Sequence, residues 1–274
     1  MDPAMFRSAL SLLKQKLGTH QTGKAATGSA HAADPSKSYV EFIGPPGVGK
    51  STVFKALMES SPDLMPLSVL KHRLNLPPRL LGQEFDEQYQ LLAAHKLETV
   101  SKSDLLPTDK LWALGYFNRI IEDDKLPLLH NQVHCVVADE GLFHNFKSSV
   151  EHLLTTTVVP AAFLAGRLII NCHATPERIA RQIQQRHSET GHLVPQHKNK
   201  TFGQLLTDQE EALRHCRKYA DFLAEHGLPV LHVNTESAAL ENTPKIHEFL
   251  QTARHHGMEH APLPPSGAAA PTAS

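Results

Sequence analysis

Tyr39-Val40-Glu41-Phe42-Ile43-Gly44-Pro45-Pro46-Gly47-Val48-Gly49-Lys50-Ser51-Thr52-Val53-Phe54-Lys55-Ala56-Leu57 is the stretch from which the rest of the chain is read. Residues 39–43 read as a strand apolar enough to be buried on both faces, and residues 50–57 as a helix. Between them Gly44, Gly47 and Gly49 let backbone N–H groups turn inward on phosphate oxygens, and the helix N-terminus adds its positive dipole end. Lys50 supplies a mobile charge for β and γ phosphates, and the Ser51 hydroxyl suits Mg²⁺. The G-x-x-x-x-G-K-S run, followed by Thr52 and set between strand and helix, is a P-loop. Gly44, Pro45, Pro46, Gly47, Val48, Gly49, Lys50, Ser51 and Thr52 are the expected nucleotide contacts.

Composition narrows the partner. The 274 residues allow one sizeable α/β domain with tails, and 27 basic against 28 acidic side chains leave a formal charge of -1. That balance makes no global field for nucleic acid or an acidic membrane. A small molecule is the expected partner, nucleic acid is not, and a homodimer stays open. Cys135, Cys172 and Cys216 stand far apart and outside any C-x-x-C spacing, which argues against a disulfide framework or zinc knuckle and for a reducing compartment. No transmembrane helix is expected, because no run of about 18 apolar residues exists. The nineteen histidines show no H-E-x-x-H spacing, and His255-His256 reads as a solvated face rather than a metal site.

Three regions are expected. Residues 1–37 form an amphipathic N-terminal segment and a flexible linker: Phe6, Leu10, Leu13 and Leu17 share one helical face, and 18–37 hold too few large apolar residues to offset the entropy of ordering. A cytoplasmic location is expected, with mitochondrial targeting or peripheral membrane contact by residues 1–17 as alternatives. Residues 257–274, with Pro262, Pro264, Pro265 and Pro271, read as a disordered Pro/Ala-rich tail. The folded domain spans 38–256.

Within that domain, apolar runs at 39–43, 134–138, 167–171 and 229–233 alternate with helical periodicity at 50–59, 86–100, 109–123, 142–155, 176–186, 207–226 and 244–255. The alternation predicts an α/β fold of the P-loop NTPase type, three layers α/β/α around a mostly parallel sheet. Thr175 caps the helix that Pro176 opens, and Gly227 stands where a left-handed stop belongs. A fifth strand between 63 and 70 is weakened by Pro62 and Pro66. The run His134-Cys135-Val136-Val137-Ala138-Asp139-Glu140 is a buried strand ending in two carboxylates. Downstream of a P-loop, Asp139 is the expected partner of Ser51 on the metal, and Glu140 the general base, with the two roles exchangeable.

A GTPase needs N-K-x-D, and Asn199-Lys200-Thr201-Phe202 lacks its aspartate. The segment Ala174-Thr175-Pro176-Glu177-Arg178-Ile179-Ala180-Arg181-Gln182-Ile183-Gln184-Gln185-Arg186 is more informative. Here the chain resembles the nucleoside and nucleotide kinases of the P-loop class, the thymidylate kinase and deoxynucleoside kinase group, as a divergent member. The resemblance implies a nucleotide-kinase-like fold with a lid, in which Arg186 stands at the first arginine of the lid pair while Ser188 and Gln182 depart from the pattern. It also implies that Arg119, in Lys110-Leu111-Trp112-Ala113-Leu114-Gly115-Tyr116-Phe117-Asn118-Arg119, meets the acceptor, whereas Glu140 replaces that group's second arginine. Tyr116 and Arg79 are further acceptor candidates. Trp112, Tyr116 and Phe117 read either as a pocket wall or as plain core.

The expected activity is transfer of the γ-phosphoryl group of ATP, with Mg²⁺, to a nucleoside, nucleotide or sugar-like acceptor. Lys50, Asp139, Glu140 and Arg186 are the catalytic candidates, and Ser51 with Asp139 the metal pair. The alternative is a nucleotide-dependent ATPase or regulatory switch acting on a protein partner.

Overall fold

The computed structural model describes residues 37–74, 86–129, 134–190, 197 and 200–259. Among these residues five strands, β1 (Ser38–Ile43), β2 (Met65–Pro66), β3 (Cys135–Ala138), β4 (Arg167–His173) and β5 (Val230–Asn234), form one sheet. Its order is β2-β3-β1-β4-β5, and each pairing is parallel. The helices are α1 (Lys50–Ser60), α2 (Leu67–Leu74), α3 (Asp86–Lys102), α4 (Pro107–Leu129), α5 (Leu142–Asn145), α6 (Lys147–Thr156), α7 (Ala161–Leu164), α8 (Pro176–Thr190), α9 (Phe202–Glu225) and α10 (Ala239–Glu259). Among the described residues, no helix is long and apolar enough to cross a membrane.

Strand alternation builds the three layers. Val40 and Phe42 of β1, with Leu168, Ile170 and Cys172 of β4, enter a core shared with α1, α8 and α10. Ile43 and Ile169 face the other way, into a core with α3, α5, α6 and α9. Successive side chains point to opposite faces, so a strand in the middle of the sheet must be apolar on both. The fold is thus the predicted α/β/α arrangement of the P-loop type.

Several boundaries differ from the sequence reading for local reasons. The predicted helix over 142–155 is interrupted at Phe146, whose φ of -114° and ψ of 25° leave the helical region while its ring is fully buried. The helix predicted from 244 starts at Ala239 and carries Pro244 inside it. Proline cannot donate to the carbonyl four residues back, and the Thr243 hydroxyl donates to Leu240 O instead, at 2.8 Å. α9 begins five residues before 207, because Thr201 and Gln204 form a reciprocal capping box. α10 runs to Glu259, three residues past 256. The fifth strand exists but is two residues long. The N-terminal segment and most of the predicted tail lie outside the described residues.

One position in β1 breaks the apolar pattern. Glu41 is 1% exposed and faces Arg167, whose Nη1 lies 3.2 Å from Glu41 Oε1. Arg167 also forks onto Asp124 of α4 with contacts of 2.9 and 2.5 Å, and its Nε donates to Phe163 O at 2.9 Å. Tyr89 of α3 donates to Asp124 at 2.8 Å. One cation against two buried carboxylates leaves one negative charge in excess. Burial first, and Asp124 second, push Glu41 up to about 8, against the pull of Arg167 and of the Phe143 and His144 backbone N–H groups.

The folded chain therefore binds this proton more tightly than the unfolded chain does. The stability it contributes is complete below the ordinary glutamate value of 4.5 and is lost as pH rises to about 8. Glu41→Gln keeps an oxygen for Phe143 and does not titrate. The melting temperature of the parent chain should fall relative to Glu41→Gln across that window; parallel curves would show that Glu41 is ionised throughout.

Candidate active site

Parallel strands deliver their C-terminal ends to one edge of the sheet, where loops meet ligands. Glu41 of β1 is in register with Ala138 of β3, so the P-loop after Ile43 and the pair Asp139-Glu140 emerge side by side. Gly47 has φ of 81°, and a Cβ there would lie 2.9 Å from Ile183 Cγ1 of α8, so the crest of the loop is pressed against α8. Helix α1 has no side-chain cap and no acidic residue in its first turn. Its N-terminal N–H groups and dipole are left for an anion.

Lys50 is 5% exposed and lies at the cradle mouth. Its ammonium donates to Gly44 O at 3.1 Å and Pro45 O at 3.2 Å, and stands 3.2 Å from Glu140 Oε1. The Ser51 hydroxyl donates to Asp139 Oδ2 at 2.8 Å. Asp139 Oδ1 is buried with no hydrogen-bond partner among the described residues. Burial raises Asp139, the Ser51 hydrogen bond opposes it, and Glu140 and Lys50 act in opposite directions. A hydroxyl and a carboxylate with an unused oxygen, beside a phosphate cradle, are the hard oxygen donors that Mg²⁺ takes together with phosphate and water. Val48 and Pro45 are buried, whereas Pro46, Ser51 and Thr52 are exposed.

Glu140 turns to a wall that the sequence reading missed in part. His144 Nε2 is 3.5 Å from Glu140 Oε1. Burial, then Lys50, Lys147 and Lys96, hold His144 well below the usual imidazole range, so it is neutral. The Tyr116 hydroxyl donates to Asn145 Oδ1 at 3.2 Å, and burial and nearby Glu140 push its pKa above the usual tyrosine value. Arg119 lies over the Tyr116 ring at 6.0 Å, and Trp112 stacks beside that ring at 5.5 Å while 70% exposed. Trp112 is therefore not core, whereas Phe117 packs edge-on to buried Phe146. Lys96 donates to Asn145 O at 2.6 Å, and burial with Lys147 lowers it to about 8.

Other candidates sit further out. Arg186 is exposed on α8, one turn beyond Ile183 and its contact with Gly47. Arg79 lies outside the described residues. Lys200, just before α9, pairs with Asp208. Thr235, after β5, donates its hydroxyl to Val48 O at 2.5 Å and its N–H to His173 O at 2.9 Å. It ties β4 and β5 to the P-loop. Behind the acidic pair, Glu41 Oε2 accepts from the Phe143 N–H at 2.8 Å. A Cβ at Gly141 would stand 2.3 Å from that oxygen, so only glycine admits this close approach.

No model of a known protein family matches the chain, and no curated protein sequence does. Solved structures that it resembles include a shikimate kinase from Acinetobacter baumannii in complex with shikimate, at 15% identity over 79% of this chain and 94% of that one, with a TM-score of 0.38. A gluconokinase from Sinorhizobium meliloti matches at 17% identity over 82% and 98%, with a TM-score of 0.40. The YorR protein of Bacillus subtilis, in complex with phosphorylated GDP, matches at 16% identity over 80% and 98%, with a TM-score of 0.38. At these values the likeness carries no functional argument, which rests on the site itself.

Gly141→Ala should destabilise the fold by about 1–3 kcal/mol, as overpacking does, and displace the Asp139-Glu140 turn. Denaturant unfolding checks the first effect, and amide NMR shifts at Asp139 and Glu140 check the second. A variant unchanged in both would mean that Glu41 can withdraw.

Proposed function

We propose that the chain is an ATP-dependent kinase that transfers the γ-phosphoryl group to a hydroxyl of a small molecule. The observation that carries this reading is the division of labour between adjacent carboxylates. Asp139 is bound to Ser51 beside the cradle, and Glu140 stands between Lys50 and the polar wall of His144 and Tyr116.

The P-loop amides and Lys50 hold the triphosphate, with Lys50 exchanging its contacts to Gly44 O and Pro45 O for phosphate oxygens. Ser51 and Asp139 are the residues that would hold Mg²⁺, which supplies charge neutralisation at the phosphates. Glu140 orients the acceptor hydroxyl and takes its proton as the oxygen–phosphorus bond forms and the bond to the β-phosphate breaks. Neutral His144 keeps that carboxylate in place without neutralising it. Arg186 closes with the lid and stabilises the charge on the moving group, while the lid excludes water. Arg119, Tyr116 and exposed Trp112 receive the acceptor, and Arg79 joins them by the family resemblance. That resemblance is also the reason to rank a nucleoside or nucleotide ahead of a sugar-like acceptor.

ADP release measured with and without nucleosides, nucleotides and sugars should be stimulated by one class. Acceptor-independent turnover equal in every case would sink the kinase reading in favour of an ATPase or switch. Lys50→Ala should abolish nucleotide-dependent activity with the circular dichroism spectrum retained; wild-type turnover would contradict the cradle. A transition-state arginine is worth about 10³–10⁵ in rate, so Arg186→Ala should lower kcat far more than it weakens ATP binding, and an unchanged kcat would remove it from the mechanism.

A further inference from the structure

Between α9 and the C-terminal ends of β4 and β5 lies a cavity of about 210 Å³. Asn171 and His173 of β4, His232 of β5, and Arg214 and Arg217 of α9 line it. Strand alternation turns Asn171 and His173 towards α9, opposite Cys172, which packs into the core on the other face. His232 is the register partner of Asn171 on the neighbouring strand. Arg214 and Arg217 are three residues apart and share one face of their helix. The P-loop mechanism uses none of these side chains.

Two features of the cavity are unbalanced. Asn171 is 3% exposed; its Nδ2 donates to His232 Nδ1 at 3.1 Å, and its Oδ1 has no hydrogen-bond partner among the described residues. A buried amide oxygen left so is costly and uncommon. The bond also places the proton of neutral His232 on Nε2, as a donor.

The second imbalance is charge. Arg217 makes no ion pair among the described residues, and Arg214 has a surface contact of 3.7 Å to Glu211. Lys147 reaches Cys216, on the same wall, at 3.1 Å. Burial lowers His173, and His232 and Arg217 lower it further, against Glu236. The Glu236 carboxylate is committed elsewhere, accepting from the N–H and hydroxyl of Thr175 at 2.9 and 2.5 Å.

We infer that this cavity is an oxyanion site, separate from the P-loop, that takes a protonated phosphate group in preference to sulfate. Arg217, His173 and the His232 Nε2–H donate to three oxygens of the anion, and the anion's own P–OH donates to Asn171 Oδ1. Sulfate satisfies the donors but has no proton for Asn171 near neutral pH. Inorganic phosphate and the end of a small phosphomonoester share this chemistry. The site also adjoins the cradle's support, because the His173 carbonyl that ends the cavity floor accepts from Thr235, and Thr235 holds Val48.

The test uses the full chain with Mg²⁺ and a non-hydrolysable ATP analogue, so that added phosphate does not enter the P-loop. Inorganic phosphate, glycerol phosphate and sulfate are titrated in turn while the imidazole resonances of His173 and His232 are followed by NMR. Phosphate should give saturable shifts and a raised His173 ionisation. Arg217→Ala, an exposed change that leaves the fold in place, should weaken binding by roughly tenfold or more, since it removes a charge-assisted pair. Sulfate should also bind at least about tenfold more weakly. Tighter binding of glycerol phosphate than of inorganic phosphate would assign the site to a phosphorylated metabolite. Absence of saturable shifts, equal affinity in Arg217→Ala, or sulfate binding as tight as phosphate would each overturn the proposal. Binding of the analogue is read from its own phosphorus signals, so failure of the P-loop reading is told apart from failure of this site.

Discussion

A guanidinium buried between two carboxylates is the interaction on which the rest of this molecule depends. Arg167 leaves β4 and meets Glu41 of β1 and Asp124 of α4, while its Nε holds the carbonyl of Phe163 in α7. Tyr39, Phe143 and Phe163 surround the cation with ring faces at 5.0–5.3 Å. Removing Arg167 or Asp124 from this cluster leaves an uncompensated buried charge, which is far worse than never having built it, whereas Glu41 carries the charge in excess. The cluster therefore specifies how the central strands, the long helix α4 and the segment after the acidic pair fit together, more than it adds net stability.

The same cluster reaches the candidate site through Glu41. One oxygen of this carboxylate faces Arg167, and the other receives the Phe143 N–H at the start of α5. Gly141 makes room for it. The turn that presents Asp139 and Glu140 is thus held from behind by a group in the strand that also ends in the P-loop. Positions of the two halves of the site are set by one rigid element, as a site needs when a misplacement of about 1 Å is costly. Around Glu140 the charges are arranged with little slack: Lys50 pairs with it, and burial, helped by the surrounding lysines, holds His144 well below the usual imidazole range.

Legibility of the chain followed the range of the forces involved. The P-loop could be read because its glycines, lysine and serine act within eight consecutive residues, and the strands because burial on both faces writes itself as local apolar runs. The boundaries that shifted did so where one side chain overrode a pattern: Phe146 breaking a helix to fill the core, Thr243 supplying the donor that Pro244 lacks, and Thr201 with Gln204 capping α9 early. Trp112, which shares helical spacing with core residues, proved exposed beside Tyr116 because α4 turns that face to the cleft and Phe117 to the core. Periodicity marks a face but does not say what lies opposite it.

By itself the sequence determined the P-loop motif, the parallel α/β layering and the presence of two carboxylates at a strand end, since each is a matter of residue type at short spacing. Tertiary structure alone decided that Asp139 binds Ser51 while Glu140 turns to Lys50 and His144, a choice left open by their adjacency. It alone joined Glu41, Asp124 and Arg167 across 126 residues, and Thr235 to Val48 across 187. Hydrogen bonds and ion pairs between distant residues leave no periodic trace, because nothing in either local segment depends on the identity of the partner until the sheet brings them together.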